Sequence, residues 1–151
     1  MKNLFDTAVA YQVKTRLEKL GPQSERHWGK MTPAQMLAHC SVSMQWAVGE
    51  VVPDKGPLPA RLIGRLVKPM VFRNEGPLRK NSPTAKSLIV ADERDLGNER
   101  KRLCGLIDRF TAGGAAGCTK NPHSFFGKMT PEEWAILAYK HLDHHLRQFG
   151  V

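Results

Sequence analysis

Residues 130–150 read TPEEWAILAYKHLDHHLRQFG, and this stretch guides the interpretation of the whole chain. Thr130, Pro131 and Glu133 form a capping box with proline at the first helical position, a pattern that typically begins a helix. Apolar side chains then recur at helical spacing, and Gly150 marks the end. The stretch therefore predicts one long amphipathic helix.

Similar start and stop signals predict four further helices along the chain. The predicted spans are Asp6–Leu20 with Asp6 as cap, Thr32 to Gly49 with Thr32 as cap, Pro59–Phe72, and Glu93–Thr111 with Asp92 as cap. Pro69 is expected to kink or end the third helix. Leu88-Ile89-Val90 is either an extended segment or a buried loop. No segment shows the alternation of apolar and polar residues that is typical of a strand. We therefore predict an all-α bundle that forms a single domain over residues 1–151.

One pentapeptide, Gly-Lys-Met-Thr-Pro, occurs twice in the chain, at residues 29–33 and 127–131. An aromatic residue precedes each copy, Trp28 and Phe126. The repeat is either a shared helix-start signal or the trace of an ancient duplication that left two helices in equivalent positions. Both interpretations place a helix start at each copy.

The composition excludes several classes of protein. Hydrophobic residues make up 41% of the 151 and charged residues 25%, unlike a disordered chain, a collagen-like fibre or a membrane bundle. The net charge of +9 favours an anionic partner. Three cysteines without a CxxC motif indicate free thiols in a reducing compartment. Without a signal-peptide pattern or an apolar run of about 20 residues, we expect a cytoplasmic protein with no membrane association.

Three histidines lie close together in the last predicted helix. At about 100° per residue, His141 and His145 fall in the middle of the apolar stripe. His144 falls at the edge of the stripe, and Asp143 is expected in solvent on the opposite side.

Histidines four residues apart on one helix face are a common clamp for a divalent metal ion. His39 lies on the apolar face of the second predicted helix, and in an antiparallel pair it would be level with His141. We therefore predict His39, His141 and His145 as metal ligands. The alternative is structural, because histidines also complement a helix dipole or form hydrogen bonds in a protein core.

Two stretches resemble a known group of proteins: Phe126-Gly-Lys-Met-Thr-Pro-Glu-Glu-Trp134, and His141-Leu-Asp-His144-His145-Leu-Arg-Gln148 through Val151. With a single earlier histidine in an Ala38-His39 context, they resemble the DinB/YfiT-like superfamily of metalloenzymes and, within it, an uncharacterised bacterial domain family. The likeness extends over essentially the whole chain.

The resemblance implies a DinB-like four-helix bundle with a long crossover and one short extra helix. It also implies zinc or nickel bound by His39, His141 and His145, with Gln148 matching a glutamine three residues after the last ligand. Characterised members of the superfamily are transferases that use low-molecular-weight thiols, isomerases or hydrolases, and the fold does not choose among these activities.

Three protein ligands leave a coordination position open, as catalytic metal sites do. The predicted function is a metal-dependent enzyme that activates a thiol or water, a thiol-linked transferase or a hydrolase acting on a small molecule. His144 and His123 are candidates to support the ligands or contact substrate. Because no general base is evident, thiol transfer is favoured slightly over hydrolysis. Cys40 is interpreted as a packing residue, with a nucleophilic role as the alternative.

Positive charge concentrates in the middle of the chain, at Arg61, Arg65, Lys68, Arg73, Arg79 and Lys80. These side chains form a solvated face, a clamp for an anionic substrate or a nucleic-acid contact. No nucleic-acid-binding motif supports the last of these. The alternative function for the whole chain is a non-catalytic basic helical protein that binds an acidic partner or nucleic acid, with structural histidines. Whether the chain forms a homodimer stays open.

Overall fold

The secondary structure is helical throughout. A computed structural model describes all residues, 1–151, and contains α1 (Thr7–Glu18), α2 (Pro33–Ala47), α3 (Leu58–Arg73), α4 (Leu96–Gly113), α5 (Pro131–Gln148) and a 3₁₀ turn at Lys86–Leu88. The one β-type contact is an isolated bridge between His123 and Gly127. The all-helical prediction is confirmed. None of the helices is both long enough and apolar enough to cross a bilayer.

Four of the helices surround one hydrophobic core. Helix α2 packs against α4 and α5, and α1 packs against the same two helices. Burial of apolar side chains in this core is the main force that holds them together. The largest fully buried side chains include Trp46, Leu103, Ile107, Phe110, Leu142 and Leu146. The connection from α2 to α4 is long and contains both α3 and the 3₁₀ turn.

Both copies of the repeated pentapeptide begin a helix, as predicted. The Thr32 hydroxyl accepts a hydrogen bond from the backbone N–H of Gln35 at 3.2 Å, and Thr130 accepts one from Glu133 at 3.2 Å. In each case the side chain at the third position returns a hydrogen bond to the cap residue's backbone N–H. Such a cap typically stabilises a helix by ~1 kcal/mol.

Helix α4 begins later than predicted. Its cap is Asp95, whose carboxylate accepts from the backbone N–H of Asn98 at 2.7 Å. Asp92 is not the cap, because its carboxylate pairs with Arg94 at 3.0 Å instead. The helix ends at Gly113, two residues beyond the predicted Thr111, and the cap residue Gly114 has a positive φ of 52°.

Helix α3 (Leu58–Arg73) matches its predicted span to within one residue at each end, but Pro69 does not end it. It continues through Pro69 to Arg73, because Pro69 lies on the exposed side, where water can bond the carbonyl that the ring leaves without a donor. Most of its apolar side chains are exposed, with Leu66 at 81%, whereas the Phe72 ring packs against Phe126. The helix instead packs through Gly64, where a Cβ atom would lie 2.1 Å from the Phe125 carbonyl oxygen. Only glycine allows this contact.

Candidate metal centre

Three imidazole rings from two helices meet at one point in the bundle. His39 comes from α2, and His141 and His145 come from successive turns of α5. The Nε2 atom of His141 lies 3.0 Å from Nε2 of His39 and 3.2 Å from Nε2 of His145. The structure thus brings together the three residues that the sequence marks as candidate ligands, each with one ring nitrogen within 4.8 Å of the others.

The outer ring nitrogen of His39 is held by a backbone carbonyl. Its Nδ1 lies 2.8 Å from the carbonyl oxygen of Leu88, at the end of the 3₁₀ turn. A carbonyl oxygen can only accept, so Nδ1 carries the proton and donates. The Nε2 atom of neutral His39 is therefore unprotonated and directs its lone pair toward the cluster.

Gln148 fixes the tautomer of His145 in the same way. Its Nε2 donates to the carbonyl oxygen of Trp28 at 2.6 Å, which identifies the amide nitrogen. Its Oε1 therefore faces Nδ1 of His145, 2.9 Å away, and accepts a hydrogen bond from it. The Nε2 lone pair of His145 also points into the cluster, and this arrangement resembles the outer-shell support of metal-bound histidines.

Two fixed lone pairs thus converge on the His141 ring. If Nε2 of His141 carries a proton, this single N–H must be shared between two acceptors, Nε2 of His39 and Nε2 of His145. A divalent cation accepts all three lone pairs at once, and neutral imidazole is a preferred ligand of zinc and nickel. The donor set therefore fits such an ion.

The three histidines are neutral at physiological pH. Burial lowers the pKa of His145 to about 3, with a further contribution from repulsion by a charged His39. Burial also lowers the pKa of His39, and it lowers that of His141 well below its usual value. Neutral rings are the form that binds a metal, so no proton must be displaced at neutral pH.

His144 lies beside this cluster rather than in it. Its ring contacts the ring of His145, with centroids 5.0 Å apart, and the ring of Trp28, with centroids 5.6 Å apart. It lines a pocket of about 310 Å³ together with Trp28 and Lys80. His144 is thus positioned to contact a molecule that approaches the three histidines from this side.

His123 belongs to a different environment. Its ring packs against Trp46 and Trp134, with centroids 5.8 and 5.4 Å away. Its Nδ1 accepts hydrogen bonds from the backbone N–H groups of Phe125 and Phe126 at 3.1 and 3.2 Å. The ring therefore organises the loop before α5, and none of these contacts involves the three clustered histidines.

Asp143 is not in solvent, contrary to the prediction. It is 7% exposed and forms ion pairs with Arg16 and Arg147, both at 2.7 Å. A helical wheel of α5 alone cannot show this, because Arg16 reaches Asp143 from α1. The Cys40 thiol is also buried, 3.7 Å from the Met36 sulfur, and burial raises its pKa. This environment agrees with the packing role expected of Cys40.

Sequence reasoning missed the backbone groups that support the site. The supporting groups are the backbone carbonyls of Leu88 and Trp28, and no side-chain type marks a carbonyl in the sequence. The only sequence feature near one of them is Gly29, the first residue of the repeat, which follows Trp28. Its φ is +78°, and a Cβ there would lie 2.4 Å from Nε2 of Gln148. Glycine at this position lets the Trp28 segment approach Gln148.

The basic residues between 61 and 80 do not form one surface. Lys80 reaches the pocket beside His144, where its Nζ lies 4.2 Å from the ring centroid of Trp28. Lys68, on α3, instead pairs with Glu133 at 2.8 Å. Only part of the predicted cluster of positive charge therefore faces the histidines.

Comparison with known proteins gives one match. A family model described as "Protein of unknown function (DUF1569)" matches residues 5–150. No curated protein and no solved structure matches the chain. An assignment of function therefore depends on the chemistry of the site.

Proposed function

The chain belongs to the DUF1569 family, whose function is unknown, and we propose that it is a metal-dependent enzyme acting on a small molecule. The observation that supports this proposal is the convergence of three histidine Nε2 atoms, two of them unprotonated because of their hydrogen bonds to Leu88 and Gln148. A site that served only core packing would not need fixed tautomers on two separate helices.

His39, His141 and His145 would hold the ion, zinc or nickel by the resemblance described above. Three protein ligands leave a coordination position for substrate, and a divalent ion there would lower the pKa of a thiol or water enough to supply a nucleophile at neutral pH. His39 and His145 are buried, whereas His141 is partly exposed. Access to the site is therefore expected from the side of His141.

The surrounding residues favour thiol transfer over hydrolysis. A hydrolase needs a group that accepts a proton from water, and the carboxylate nearest in sequence to the ligands, Asp143, is already paired with Arg16 and Arg147. A thiol loses its proton far more easily than water does. The residues present thus suit a thiol nucleophile without a dedicated base.

We also propose that the fold is a DinB-like bundle. Four helices share one core, a long connection joins α2 to α4, and one candidate ligand on α2 faces an i, i+4 pair on the last helix. These features support the architecture implied by the resemblance. Superposition of a crystal structure on known DinB-like bundles tests it, and a different order of helices around the core would contradict it.

The metal is tested by elemental analysis of protein purified without a histidine tag. We expect about one divalent ion per chain, and we expect His141→Ala to abolish this stoichiometric binding. The matched variant His144→Ala should retain the ion, because the His144 ring lies outside the converging nitrogens. Equal losses from the two substitutions would show that the ligand set is wrong.

The catalytic role is tested with cobalt-substituted protein. Its visible spectrum should change when small thiols are added, and turnover should appear with a thiol and an electrophile. His145→Ala should lose turnover while its circular dichroism remains that of a folded helical protein. A spectrum that indicates four protein ligands and does not respond to thiols, azide or pH would identify a structural site.

One observation supports a different function. Helix α3 exposes Leu62, Leu66 and Met70 beside Arg65 and Arg73, a surface suited to an acidic partner. A basic protein with purely structural histidines would bind acidic polypeptides and contain no metal. Retention on polyglutamate that is weakened in Arg65→Gln, together with absence of metal in the elemental analysis, would favour this alternative.

A further inference from the structure

A pocket of about 310 Å³ opens beside the three histidines. Its walls are formed by Trp28, Pro77, Leu78, Lys80, His144 and Arg147. We propose that this pocket binds the negatively charged end of the substrate, so that the substrate is a small molecule with an oxyanion group, such as a carboxylate or phosphate, and an apolar body. Lys80 and Trp28 would then determine specificity. This inference rests on the proposed function and names its substrate class.

The pocket and the histidine cluster share structural parts. The His144 ring contacts both the Trp28 ring, on the pocket side, and the His145 ring, on the cluster side. The Trp28 carbonyl accepts a hydrogen bond from Gln148, the residue that orients His145. A molecule in this pocket therefore contacts the His144 ring, whose other neighbour is the candidate ligand His145.

The charges around the pocket favour an anion. No acidic residue lines it, and none of the ion pairs of the structure includes Lys80. Arg147 forms an ion pair with Asp143, a carboxylate that also pairs with Arg16 outside the pocket. Lys80 thus leaves the lining with a net positive charge, which favours a bound anion.

The apolar part of the lining indicates the rest of the ligand. The Trp28 indole, Pro77 and Leu78 offer an apolar wall beside the charged groups. The Lys80 ammonium lies over the indole face, where a cation–π contact holds it in place. A ligand with a charged end and an apolar body can contact both surfaces at once.

A second pocket, of about 400 Å³, lacks these properties. It includes Lys68 and Arg73, but Glu132 and Glu133 also line it, and Lys68 is paired with Glu133. Its charges are balanced, and no histidine borders it. The pocket at Trp28 is therefore the one suited to an anionic substrate.

Tryptophan fluorescence tests the pocket in metal-free protein. Trp28 is partly exposed, whereas Trp46 and Trp134 are 1% and 2% exposed, so that Trp28 is the ring that ionic quenchers reach. The ratio of iodide to caesium quenching should exceed that of free N-acetyltryptophanamide at least about five-fold, as expected from a favourable contact of ~1 kcal/mol with a surface charge. Lys80→Gln should remove most of this preference and leave quenching by neutral acrylamide unchanged.

The control is Lys86→Gln, which removes an exposed charge from the same segment outside the pocket. We expect it to retain the preference for iodide. A ratio of iodide to caesium quenching in the wild-type protein no higher than that of free N-acetyltryptophanamide would overturn the inference. Equal effects of the two lysine substitutions would overturn it as well.

A second experiment connects the pocket to the metal site. Cobalt-substituted protein is titrated with mercaptosuccinate, an anionic thiol, and with neutral 2-mercaptoethanol. The anionic thiol should bind at least about five-fold more tightly, and Lys80→Gln but not Lys86→Gln should abolish the difference. Protein that binds no cobalt would refute the proposed function. The quenching experiment would still show whether the pocket binds anions, because it uses metal-free protein. A cobalt spectrum that responds equally to both thiols would agree with the proposed function but contradict the role of the pocket in binding the charged end of the substrate.

Discussion

The two copies of Gly-Lys-Met-Thr-Pro border two different buried histidine environments. The copy at residues 29–33 follows Trp28, whose carbonyl holds Gln148 and through it His145. The copy at 127–131 begins with Gly127, whose backbone pairs with that of His123. Both copies have the same backbone at glycine, with φ of 78° and 70°, and both cap a helix with threonine.

The difference between the two environments lies in the direction of the hydrogen bonds. Burial lowers the pKa of His123 and of His145 alike, to about 4 and about 3. His145 donates from Nδ1 and directs a free lone pair at two other rings, whereas His123 uses its Nδ1 lone pair to accept backbone N–H groups. Burial of a histidine therefore does not by itself support a metal site; the proposed metal rests on the convergence of unprotonated nitrogens at His141.

The largest expected effect tests the support of His145. Gln148→Leu removes the acceptor for Nδ1 of His145 and the contact with the Trp28 carbonyl. Metal affinity should fall about 10- to 100-fold, the usual consequence of losing an outer-shell partner. Competition with a chromophoric chelator measures it. Gln148→Glu keeps an acceptor and should lose less; unchanged affinity in the leucine variant would contradict the role of Gln148.

The second prediction concerns the acid stability of the His123 environment. Its folded-state pKa is lowered to about 4, so the stability it contributes is fully present above the unfolded value near 6.5 and is lost as pH falls toward 4. His123→Asn keeps an oxygen that can accept the loop N–H groups but does not titrate. In metal-free protein, this variant should therefore lose about 3 kcal/mol less stability than the wild type between pH 7 and pH 4.

Urea unfolding at several pH values measures this difference. The other buried histidines titrate in both proteins, so that the comparison isolates His123. Parallel pH profiles for the wild-type and variant proteins would show that His123 is not held neutral by the fold.

The third prediction separates the two repeat glycines. Gly29→Ala and Gly127→Ala should each lose about 1 kcal/mol of stability, because both positions have a positive φ. Only Gly29→Ala should also weaken metal binding, since its Cβ would displace Gln148, whereas the space around Gly127 is open. Equal metal affinities for the two variants would contradict a supporting role of the first copy.

The smallest expected effect tests what the two copies share. Thr32→Ala and Thr130→Ala each remove one capping hydrogen bond of 3.2 Å and should each cost ~1 kcal/mol, lowering the melting temperature measurably. Thermal unfolding followed by circular dichroism measures both. An effect of one substitution without the other would show that tertiary contacts, rather than the local motif, hold one of these helix starts.

Much of the fold could be predicted because its signals are local. A cap and its partner are three residues apart, and apolar side chains repeat with the period of a helix, so the sequence alone determined the two capped starts and the all-helical class. The same period places His141 and His145 on one face of α5. The wheel also placed His39 on the inner face of α2.

Tertiary structure alone decided the features that bring distant residues together. Leu88 lies 49 residues from His39, Trp28 lies 120 from Gln148, and Arg16 lies 127 from Asp143. No periodicity links such positions, so neither the fixed tautomers nor the burial of Asp143 could be predicted. Likewise, α3 has the apolar spacing of a core helix, yet its contact through Gly64 turns that face to solvent, because close backbone packing depends on the neighbour and not on the helix.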